Sequence, residues 1–321
     1  MKVSIIIPTK NNADILERCL ESIHNLDYPK DEVEVIIVDG HSTDGTVEVA
    51  KKYGCRVVYE DVGTIGGARN IGVEHSRGDY IVFTDADCVA DRDWLKNLIR
   101  EFKDESVASV GGPNITPRDD TEFAKRVGVV LEFLSKPGPR YAFSADKIVE
   151  IHHNPTCNSA YRKAILQEVG GFNPRLITCD DEELDYRIRK RGYKILFTPY
   201  AKVYHYKRPT WKRFAKMAWN YGIGRGQTIK LHKEMARWYY CAPSALILLI
   251  TLLFTLSLIV PVFSLIAFSL LIAGGIGIGL IGLYLAFKTK CKDFTTYSLL
   301  IMIWFWGYGL GMLRGLLKAA R

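Results

Sequence analysis

Two aspartates separated by one residue carry the clearest chemistry in this 321-residue sequence. Asp85 and Asp87 follow directly after Tyr80–Thr84, an apolar run that predicts a buried strand. Carboxylates at the end of such a strand can hold a hard divalent cation between protein oxygens and a diphosphate. An ordinary turn at the end of a strand is the alternative, and the surrounding elements must decide between the two.

Strands and helices alternate around this acidic pair. The sequence predicts strands over Val3–Ile7, Val33–Val38, Arg56–Tyr59 and Tyr80–Thr84, with helices after Asn12 and over Thr43–Tyr53. This alternation predicts an α/β fold with a Rossmann-like, mostly parallel sheet and helices on both faces. Ligands bind at the carboxyl ends of the strands in such sheets, where Thr9, Asp39 and Asp85 fall.

Charge is distributed unevenly along the chain, whose formal net charge is +8. Residues 1–206 carry 28 Lys and Arg against 33 Asp and Glu, whereas residues 207–237 carry nine basic residues and one acidic residue. The acidic first region argues against nucleic-acid binding, which requires a basic face. Seven cysteines without a CxxC pair argue against a disulfide scaffold and a zinc site. The apolar run before Pro8 is too short for a signal peptide, which predicts a cytoplasmic first domain.

The last part of the sequence is apolar enough for a membrane. Residues 242–260, 262–287 and 294–313 hold no charged residue, and each is about as long as a helix needs to cross a bilayer. We therefore predict a transmembrane region over 241–321 with about three helices. Basic residues before the first span, and Lys288 after the second, place those ends on the cytoplasmic side. Basic residues after the third span conflict with this orientation, so a re-entrant or interfacial last helix is the alternative.

Glycines inside the predicted spans form two kinds of pattern. A GxGxxG sequence begins at Gly277, but an uncharged run supplies neither the strand nor the solvent-facing helix start that a dinucleotide-binding loop requires. The pairs Gly275 with Gly279 and Gly307 with Gly311 are typical of surfaces where membrane helices pack closely. We interpret these glycines as packing residues.

Residues 207–240, which precede the first span, mix basic and aromatic side chains. Lys212, Arg213, Trp211 and Trp238 are examples. This composition predicts interfacial helices that bind anionic headgroups. Stacking on RNA is the alternative for such a mixture, and the adjacent spans favour the membrane.

Five motifs lie in one order along the first 200 or so residues: IIIPTKNN, VIIVDGHSTDGT, GGARNIG, YIVFTDAD, and GGFNP followed by CDDEELDYRIRKRGYKI. In this order and spacing they resemble the family 2 glycosyltransferases of the GT-A fold. The spans after them resemble the integral-membrane branch of that family, which includes exopolysaccharide and polyprenyl-phosphate sugar transferases. The resemblance implies a GT-A catalytic domain over 1–206 that takes a sugar from a UDP- or GDP-linked donor.

The resemblance implies nucleotide contacts at the ends of the first strands. Thr9 and Asp39 are implied to hold the ribose and base, with Pro8 and Asn11 beside them. Arg69, in the GARN sequence, is implied to lie near the diphosphate, where a planar guanidinium suits phosphate oxygens.

The resemblance also implies a divalent cation, Mg²⁺ or Mn²⁺, at the acidic pair. Asp87 is implied as a metal ligand, and Asp85 is implied to lie close to both the metal and the donor's ribose. His205 falls where the family usually supplies its third metal contact. A histidine in an ordinary aromatic cluster is the alternative for His205. The cation's task would be to stabilise the charge that forms on the leaving diphosphate.

The acidic residues of 180–185 resemble the family's second acidic motif. In that register Asp181 is the base that takes a proton from the acceptor, and Asp180 stands where the family usually has Glu. The same residues also fit the beginning of a helix, where acidic side chains complement the dipole. Both interpretations can hold together.

The predicted acceptor region comprises Asp180 together with His153, Asn158 and Trp219. Processive members of the family carry a QxxRW motif in this part of the chain. Here Glu234–Trp238 has Glu in place of Gln and lies later than expected. The sequence therefore favours transfer of a single sugar.

Together these observations predict an inverting, metal-dependent glycosyltransferase that is an integral membrane protein with its catalytic domain facing the cytoplasm. The predicted acceptor is membrane-associated and is a hydroxyl of a lipid-linked saccharide, because an acceptor phosphate is already ionised and needs no base. A polyprenyl-phosphate sugar synthase is the nearest alternative. An inactive nucleotide-binding scaffold is a further alternative, against which the intact acidic residues argue.

Overall fold

A computed structural model describes residues 2–135, 146–207 and 209–317. The described residues divide into two compact units, one drawn from 1–120 and 135–207 and the other from 121–134 and 208–321. The first unit carries the α/β fold, and the second is helical.

The described residues contain strands β1 Val3–Thr9, β2 Val33–Asp39, β3 Arg56–Tyr59, β4 Tyr80–Thr84, β5 Cys88–Ala90, β6 Val107–Gly111, β7 Asn114–Ile115, β8 Val149–Glu150, β9 Asn158–Arg162, β10 Lys194–Phe197 and β11 Val203–His205. The helices as far as β10 are α1 Ala13–His24, α2 Thr46–Lys52, α3 Ile65–His75, α4 Trp94–Ile99, α5 Glu122–Ser135, α6 Lys163–Glu168 and α7 Asp180–Lys190. All of these elements except α5 belong to the first unit.

Eight strands form one sheet in the order β3-β2-β1-β4-β9-β6-β10-β8. The strands β1 to β4 pair in parallel, as do β6 and β10, whereas β9 runs antiparallel between β4 and β6. The predicted α/β class is confirmed. The sheet is mixed because β9 is inserted in its middle and β8 pairs antiparallel at its edge.

Helices cover both faces of this sheet, as predicted. Side chains alternate between the faces along each strand, so Ile5 and Ile7 of β1 pack with Leu16 of α1 on one face. Ile6 packs on the other face, in a cluster that includes Leu184 of α7. Helix α7 therefore packs on the face of the sheet opposite to α1.

β1 extends beyond its predicted end at Ile7, through Pro8 to Thr9. The carbonyl of Thr9 accepts a hydrogen bond from the N–H of Gly40 on the side of β2. The backbone nitrogen of Pro8, one residue earlier, therefore faces β4. Pairing with β4 has ended by then, at Ile6, and the N–H that proline lacks is not needed there. α2 starts three residues later than predicted because Gly45 adopts a left-handed conformation with φ 85°.

Three short strands, β5, β11 and β7, form a second sheet. The chain enters it from β4 through Asp85 and Asp87, so the acidic pair connects the two sheets. β11 runs antiparallel to β5 with His205 opposite Cys88. The N–H of Tyr206 donates to the carbonyl of Asp87 at 2.8 Å. This pairing brings His205 next to the acidic pair.

The second unit contains α5 and four longer helices: α8 Trp211–Leu231, α9 Trp238–Ser257, α10 Val262–Lys288 and α11 Phe294–Leu317. Among the described residues, α9, α10 and α11 are long and apolar enough to cross a membrane. They overlap the three predicted spans, although α9 begins four residues earlier. The basic residues Arg208, Lys318 and Arg321 lie outside the described residues.

Glycines bring the backbones of α8 and α11 into contact. A Cβ on Gly311 would lie 2.3 Å from the carbonyl oxygen of Trp219, and a Cβ on Gly315 would lie 2.2 Å from that of Ile223. The close packing predicted at Gly307 and Gly311 is confirmed, but their partner is α8, which is not one of the candidate spans among the described residues, and not a second membrane helix as predicted.

The packing role predicted for Gly275 and Gly279 on α10 is wrong within the described residues. A Cβ at either position meets nothing within 4 Å. Helix α10 instead approaches α11 at Gly282, where a Cβ would lie 2.1 Å from Ser298 Oγ. The spacing of small residues predicted a contact, but the side of the helix that makes it depends on where the neighbouring helix lies.

Substitution of Gly315 by Ala is expected to destabilise the second unit by about 1–3 kcal/mol, because the added methyl group forces α8 and α11 apart. Gly279→Ala is the matched control, and we expect no loss of stability there because alanine is the better helix former. The measurement is thermal unfolding of the full chain in detergent. Equal transition temperatures for the two variants would contradict the packing role of Gly315.

Candidate active site

The carboxyl ends of β1 and β4, the beginning of α3 and the end of β11 surround one cavity of about 450 Å³. This volume lies in the range of about 300–1,000 Å³ that is typical of ligand pockets. Its polar lining residues are Thr9, Lys10, Asn12, Glu60, Thr64, Arg69, Asp85, Asp87 and His205. The structure therefore brings to one cavity six residues that the sequence singled out: Pro8, Thr9, Arg69, Asp85, Asp87 and His205.

Four side chains at one end of this cavity form a group that could hold a metal ion. The possible ligand atoms of Asp85, Asp87, Cys88 and His205 all lie within 4.8 Å of one another, and His205 Nε2 is 3.1 Å from Asp87 Oδ1. Carboxylate and imidazole ligands suit Mg²⁺, Mn²⁺ and related divalent cations. Cys88 was not predicted, although it follows Asp87 directly in the sequence.

The protonation of this group reflects its burial. Burial raises the pKa of Asp85 to about 7, although the positive charge of Arg69 opposes the shift. Burial alone would lower the pKa of His205, but the Asp87 carboxylate outweighs it, and the pKa rises to about 10. Both pKa values are shifted in the direction expected where negative charges are gathered in a buried site.

Asp39 and Asn11 hold the loop after β2 beside the end of β1. Asp39 is fully buried, and both of its carboxylate oxygens accept hydrogen bonds from Ser42. The side-chain oxygen of Asn11 accepts one from the N–H of Thr43 at 2.8 Å. Their nucleotide contacts stay predictions, and the structure gives both residues a role in shaping this end of the sheet.

Arg69 connects the cavity to the beginning of α7. Its Nη1 donates to Asp180 Oδ2 at 2.7 Å, and both side chains are buried. Burial raises the pKa of Asp180, which the guanidinium opposes. Gly66 permits this approach of α3 to α7, because a Cβ there would already lie 3.2 Å from Asp180 Oδ2. Arg69 also interacts electrostatically with Asp85 and Asp181. Its guanidinium therefore links the acidic pair after β4 to the acidic residues at the beginning of α7.

Asp181 differs from the other acidic residues of 180–185, all of which the structure describes. Its side chain is 19% exposed, whereas Asp180, Glu182, Glu183 and Asp185 are buried. Asp181 accepts a hydrogen bond from the N–H of Glu182 at 2.9 Å and a longer one from the N–H of Thr156 at 3.5 Å. The first turn of α7 thus holds one partly accessible carboxylate where the helix dipole favours negative charge.

His153, which was predicted in the acceptor region, lies against the same helix. Its Nδ1 is 2.9 Å from Asp185 Oδ2, and its Nε2 is 3.8 Å from Asp181 Oδ2. Tyr161 O–H and Asn154 N–H also donate to Asp185. Asp185 was not singled out from the sequence, because its partners come from β9 and from the loop before it.

Asn158 has a structural role. Its Oδ1 accepts from Trp94 Nε1 at 2.7 Å, and its Nδ2 donates to the carbonyls of Pro113 and Ala201. The side chain is fully buried, so an acceptor contact would require these hydrogen bonds to break. Trp219, the remaining residue of the predicted acceptor region, lies on α8 in the second unit, and its role stays a prediction.

Four polar residues of the cavity, Lys10, Asn12, Glu60 and Thr64, are absent from the predicted site residues. Thr64 begins α3, where its hydroxyl accepts a hydrogen bond from the N–H of Gly67 and donates to the carbonyl of Pro174. Glu60 follows β3, and its carboxylate accepts from the N–H of Gly63. The helix-capping pattern Thr-Ile-Gly-Gly was the available signal for Thr64.

Comparison with known proteins supplies the family. The family model described as glycosyl transferase family 2 matches residues 4–170, about half of the chain. This chain belongs to glycosyl transferase family 2. The predicted family is confirmed, and with it the prediction that the protein is an enzyme, a glycosyltransferase.

Two glycosyltransferases are similar to this chain over most of their length. One is the dolichyl N-acetyl-alpha-D-glucosaminyl phosphate 3-beta-D-2,3-diacetamido-2,3-dideoxy-beta-D-glucuronosyltransferase of Methanococcus voltae, which is 28% identical over 71% of this chain and 74% of its own. The other is glycosyltransferase AglE of Haloferax volcanii, which is 29% identical over 70% of this chain and 72% of its own.

A solved structure is similar across nearly the whole chain. It is the mannosyltransferase PcManGT from Pyrobaculum calidifontis in complex with GDP-Man and Mn²⁺, with a TM-score of 0.66 and 22% identity over 97% of this chain and 87% of that one. Staphylococcus aureus TarS 1–349 in complex with UDP-GlcNAc has a TM-score of 0.51 and 21% identity over 69% of this chain and 66% of that one. These similarities confirm the predicted fold of this family 2 member.

Proposed function

We propose that this family 2 glycosyltransferase is an inverting, metal-dependent enzyme that transfers a single sugar from a nucleotide-diphosphate donor to a hydroxyl of a lipid-linked saccharide. The observation that carries the proposal is the partly exposed Asp181 among buried acidic neighbours. An acceptor hydroxyl needs a base to remove its proton, whereas an acceptor phosphate does not. A base at this position fits an acceptor hydroxyl better than an acceptor phosphate.

The cavity supports a nucleotide-diphosphate donor. Its lining combines Thr9 at the end of β1, Arg69 on α3 and the acidic pair, so hydroxyl, guanidinium and carboxylate groups surround one space. The solved relatives PcManGT and TarS bind GDP-Man and UDP-GlcNAc respectively. A UDP- or GDP-linked sugar is therefore the donor class that we propose.

The metal group supports a divalent cation, Mg²⁺ or Mn²⁺. Asp87 and His205 would hold it, with Asp85 beside them, because these ligand atoms already lie within 4.8 Å of one another. A cation there would stabilise the negative charge that develops on the leaving diphosphate. It would also favour the ionised carboxylate of Asp85 and the neutral ring of His205, which removes the cost of gathering these groups.

Asp181 would act on the other side of the sugar from the diphosphate. Its carboxylate removes the proton of the acceptor hydroxyl as the oxygen attacks the anomeric carbon. Attack from the face opposite to the leaving group inverts the configuration at that carbon. Arg69, which interacts with both Asp85 and Asp181, would limit the repulsion between the base and the diphosphate.

The second unit supports an acceptor carried by the membrane. Among the described residues, three helices are long and apolar enough to span a bilayer, and basic residues such as Lys212 and Lys230 precede the first of them on α8. An excess of basic residues is typical of cytoplasmic segments next to a span, and it would attract anionic headgroups. We therefore propose that the catalytic domain faces the cytoplasm. The name of the Methanococcus voltae relative describes an acceptor linked to dolichyl phosphate.

An acceptor panel tests this proposal. The purified full chain is incubated with UDP- and GDP-linked sugars and Mn²⁺. Each reaction contains either polyprenyl phosphate or a polyprenyl-phosphate-linked saccharide as the acceptor. The mass of the lipid product is measured by mass spectrometry. We expect a mass increase of one sugar on the lipid-linked saccharide only. Transfer to polyprenyl phosphate alone would overturn the hydroxyl acceptor in favour of a synthase, and nucleotide binding without transfer or donor hydrolysis would indicate a scaffold.

A further inference from the structure

A buried histidine lies between two carboxylates of α7. His153 approaches Asp185 through Nδ1 at 2.9 Å and Asp181 through Nε2 at 3.8 Å. The side chains of His153 and Asp185 are 1% and 0% exposed. Asp181 and Asp185 are four residues apart on one helix, so both project from the same side of it. The histidine therefore connects the accessible carboxylate to the buried one.

Asp185 fixes the orientation of the histidine ring. Besides His153, the N–H of Asn154 and the hydroxyl of Tyr161 donate to it at 2.9 and 3.0 Å. Burial raises the pKa of Asp185, and the hydrogen bonds from His153 and Asn154 oppose that shift. Three donors surround the carboxylate of Asp185, and such hydrogen bonds favour its ionised form, which can only accept. The hydrogen-bond network therefore assigns a proton to Nδ1 of His153. In the neutral ring Nε2 is then the acceptor.

This tautomer directs a basic nitrogen toward Asp181. An imidazole lone pair and a carboxylate oxygen repel each other unless a proton lies between them. Asp181 acquires such a proton when it deprotonates an acceptor. The separation of 3.8 Å is about 1 Å longer than a hydrogen bond, so a small rotation of the partly exposed Asp181 side chain brings the two atoms into contact.

We propose that His153 is a positioning residue for Asp181 and takes up the proton that Asp181 removes from the acceptor. This inference rests on the proposed role of Asp181 as the base. The O–H bond of the acceptor breaks, and its electron pair forms the new bond to the anomeric carbon, whose bond to the diphosphate breaks with the electrons leaving on the phosphate oxygen. The proton binds first to Asp181 and then to His153 Nε2. Asp181 is again a carboxylate, and the imidazolium lies between Asp181 and Asp185.

The groups around His153 favour this final state. Asp181 and Asp185 face it from α7, and Tyr161 of β9 reaches it through Asp185. Burial raises the pKa of Tyr161, which keeps its hydroxyl a neutral donor. Arg69 and Asp180 form a buried ion pair, whose charges compensate each other and which interacts electrostatically with Asp181. Two carboxylates therefore stabilise one imidazolium, as the single aspartate of a Ser-His-Asp triad stabilises the imidazolium that forms beside it.

A double-mutant cycle tests the inference. Asparagine at position 153 can still donate to Asp185 but offers no basic nitrogen to Asp181. We expect His153→Asn to lower kcat by about 10- to 100-fold with the donor KM unchanged. In the Asp181→Asn background the same substitution should have no further effect, because His153 acts only through Asp181. The acid limb of the kcat profile should move to lower pH, since Asp181 then titrates without the histidine.

His75→Asn is the matched control, because His75 is an exposed histidine on α3 whose Nδ1 lies 2.9 Å from the carbonyl of Ile71 in its own helix; its activity should be unchanged. If His153→Asn does not fold, as judged by thermal unfolding and nucleotide binding, Asp185→Asn replaces it in the cycle, because it disturbs the tautomer without removing the ring. Multiplicative losses in the cycle, or an unshifted pH profile, would overturn the role of His153. Near-normal turnover by Asp181→Asn alone would instead overturn the base, so the two failures are distinguishable.

Discussion

Asp181→Asn is expected to lower the rate of sugar transfer by about 10²- to 10⁴-fold, the usual contribution of a general base. The amide keeps the size of the side chain and can still accept from the N–H of Glu182, so the beginning of α7 should be preserved. Donor binding should be unchanged, because the cavity lining is intact. The two measurements are initial rates of transfer and calorimetric titration with the donor nucleotide.

The control for this prediction is an acidic residue in the first turn of a different helix. Glu48 of α2 is exposed and lies in such a position, so Glu48→Gln removes a comparable charge from a comparable place. We expect it to transfer sugar at the rate of the unmodified protein. If Asp181→Asn matched Glu48→Gln in rate, another residue would have to be the base.

Asp87→Ala is expected to lower transfer by about 10³-fold or more, which corresponds to the several kcal/mol that a metal ion contributes to stabilising a leaving group. The substitution removes the carboxylate that lies 3.1 Å from His205 Nε2. We expect Mn²⁺ affinity to fall together with activity, because His205 and Asp85 are then the remaining predicted ligands. Paramagnetic resonance of free Mn²⁺ measures that affinity without any need for turnover.

Asp93→Ala is the comparison for Asp87→Ala. Asp93 is exposed and precedes α4, outside the metal group. Its loss should change neither Mn²⁺ affinity nor transfer. An Asp87→Ala protein that bound Mn²⁺ normally would remove Asp87 from the set of ligands, even if its activity were low.

The strands that line the proposed donor cavity could be predicted from the sequence. β3 and β4 were predicted with their observed limits, because each is a short β-branched or apolar run between turn residues. The alternation of elements was enough to place Thr9 and Asp85 at one edge of a sheet. The sheet's second half could not be predicted in this way, since the insertion of β9 between β4 and β6 depends on contacts between residues about 50 to 80 positions apart.

The contacts that give the site its electrostatics are also long-range. Arg69 pairs with Asp180 across 111 residues of sequence, and His153 pairs with Asp185 across 32. Charge patterns identified acidic clusters, but they could not show which carboxylate would be neutralised. Asp181 is accessible and its acidic neighbours are buried because of the way α7 packs, which its sequence alone does not show.

The membrane helices show the same limit. Hydropathy located α10 and α11 to within a few residues, because an uncharged run of sufficient length is a strong signal. The pattern of small residues predicted correctly that Gly311 is a contact, and incorrectly that Gly279 is one. The two helices have similar glycine spacing but different neighbours.

The pairing of β11 with β5 makes the active site sensitive to insertions and deletions in β11. His205 stands opposite Cys88 only in the observed register, and its neighbours in the sequence are Tyr204 and Tyr206. A strand displaced by one residue turns every side chain to the opposite face, so a single insertion between Lys202 and Tyr204, or deletion of Val203 or Tyr204, would present a phenol where the imidazole now lies. Such a protein could keep both sheets, and yet lose the nitrogen beside Asp87.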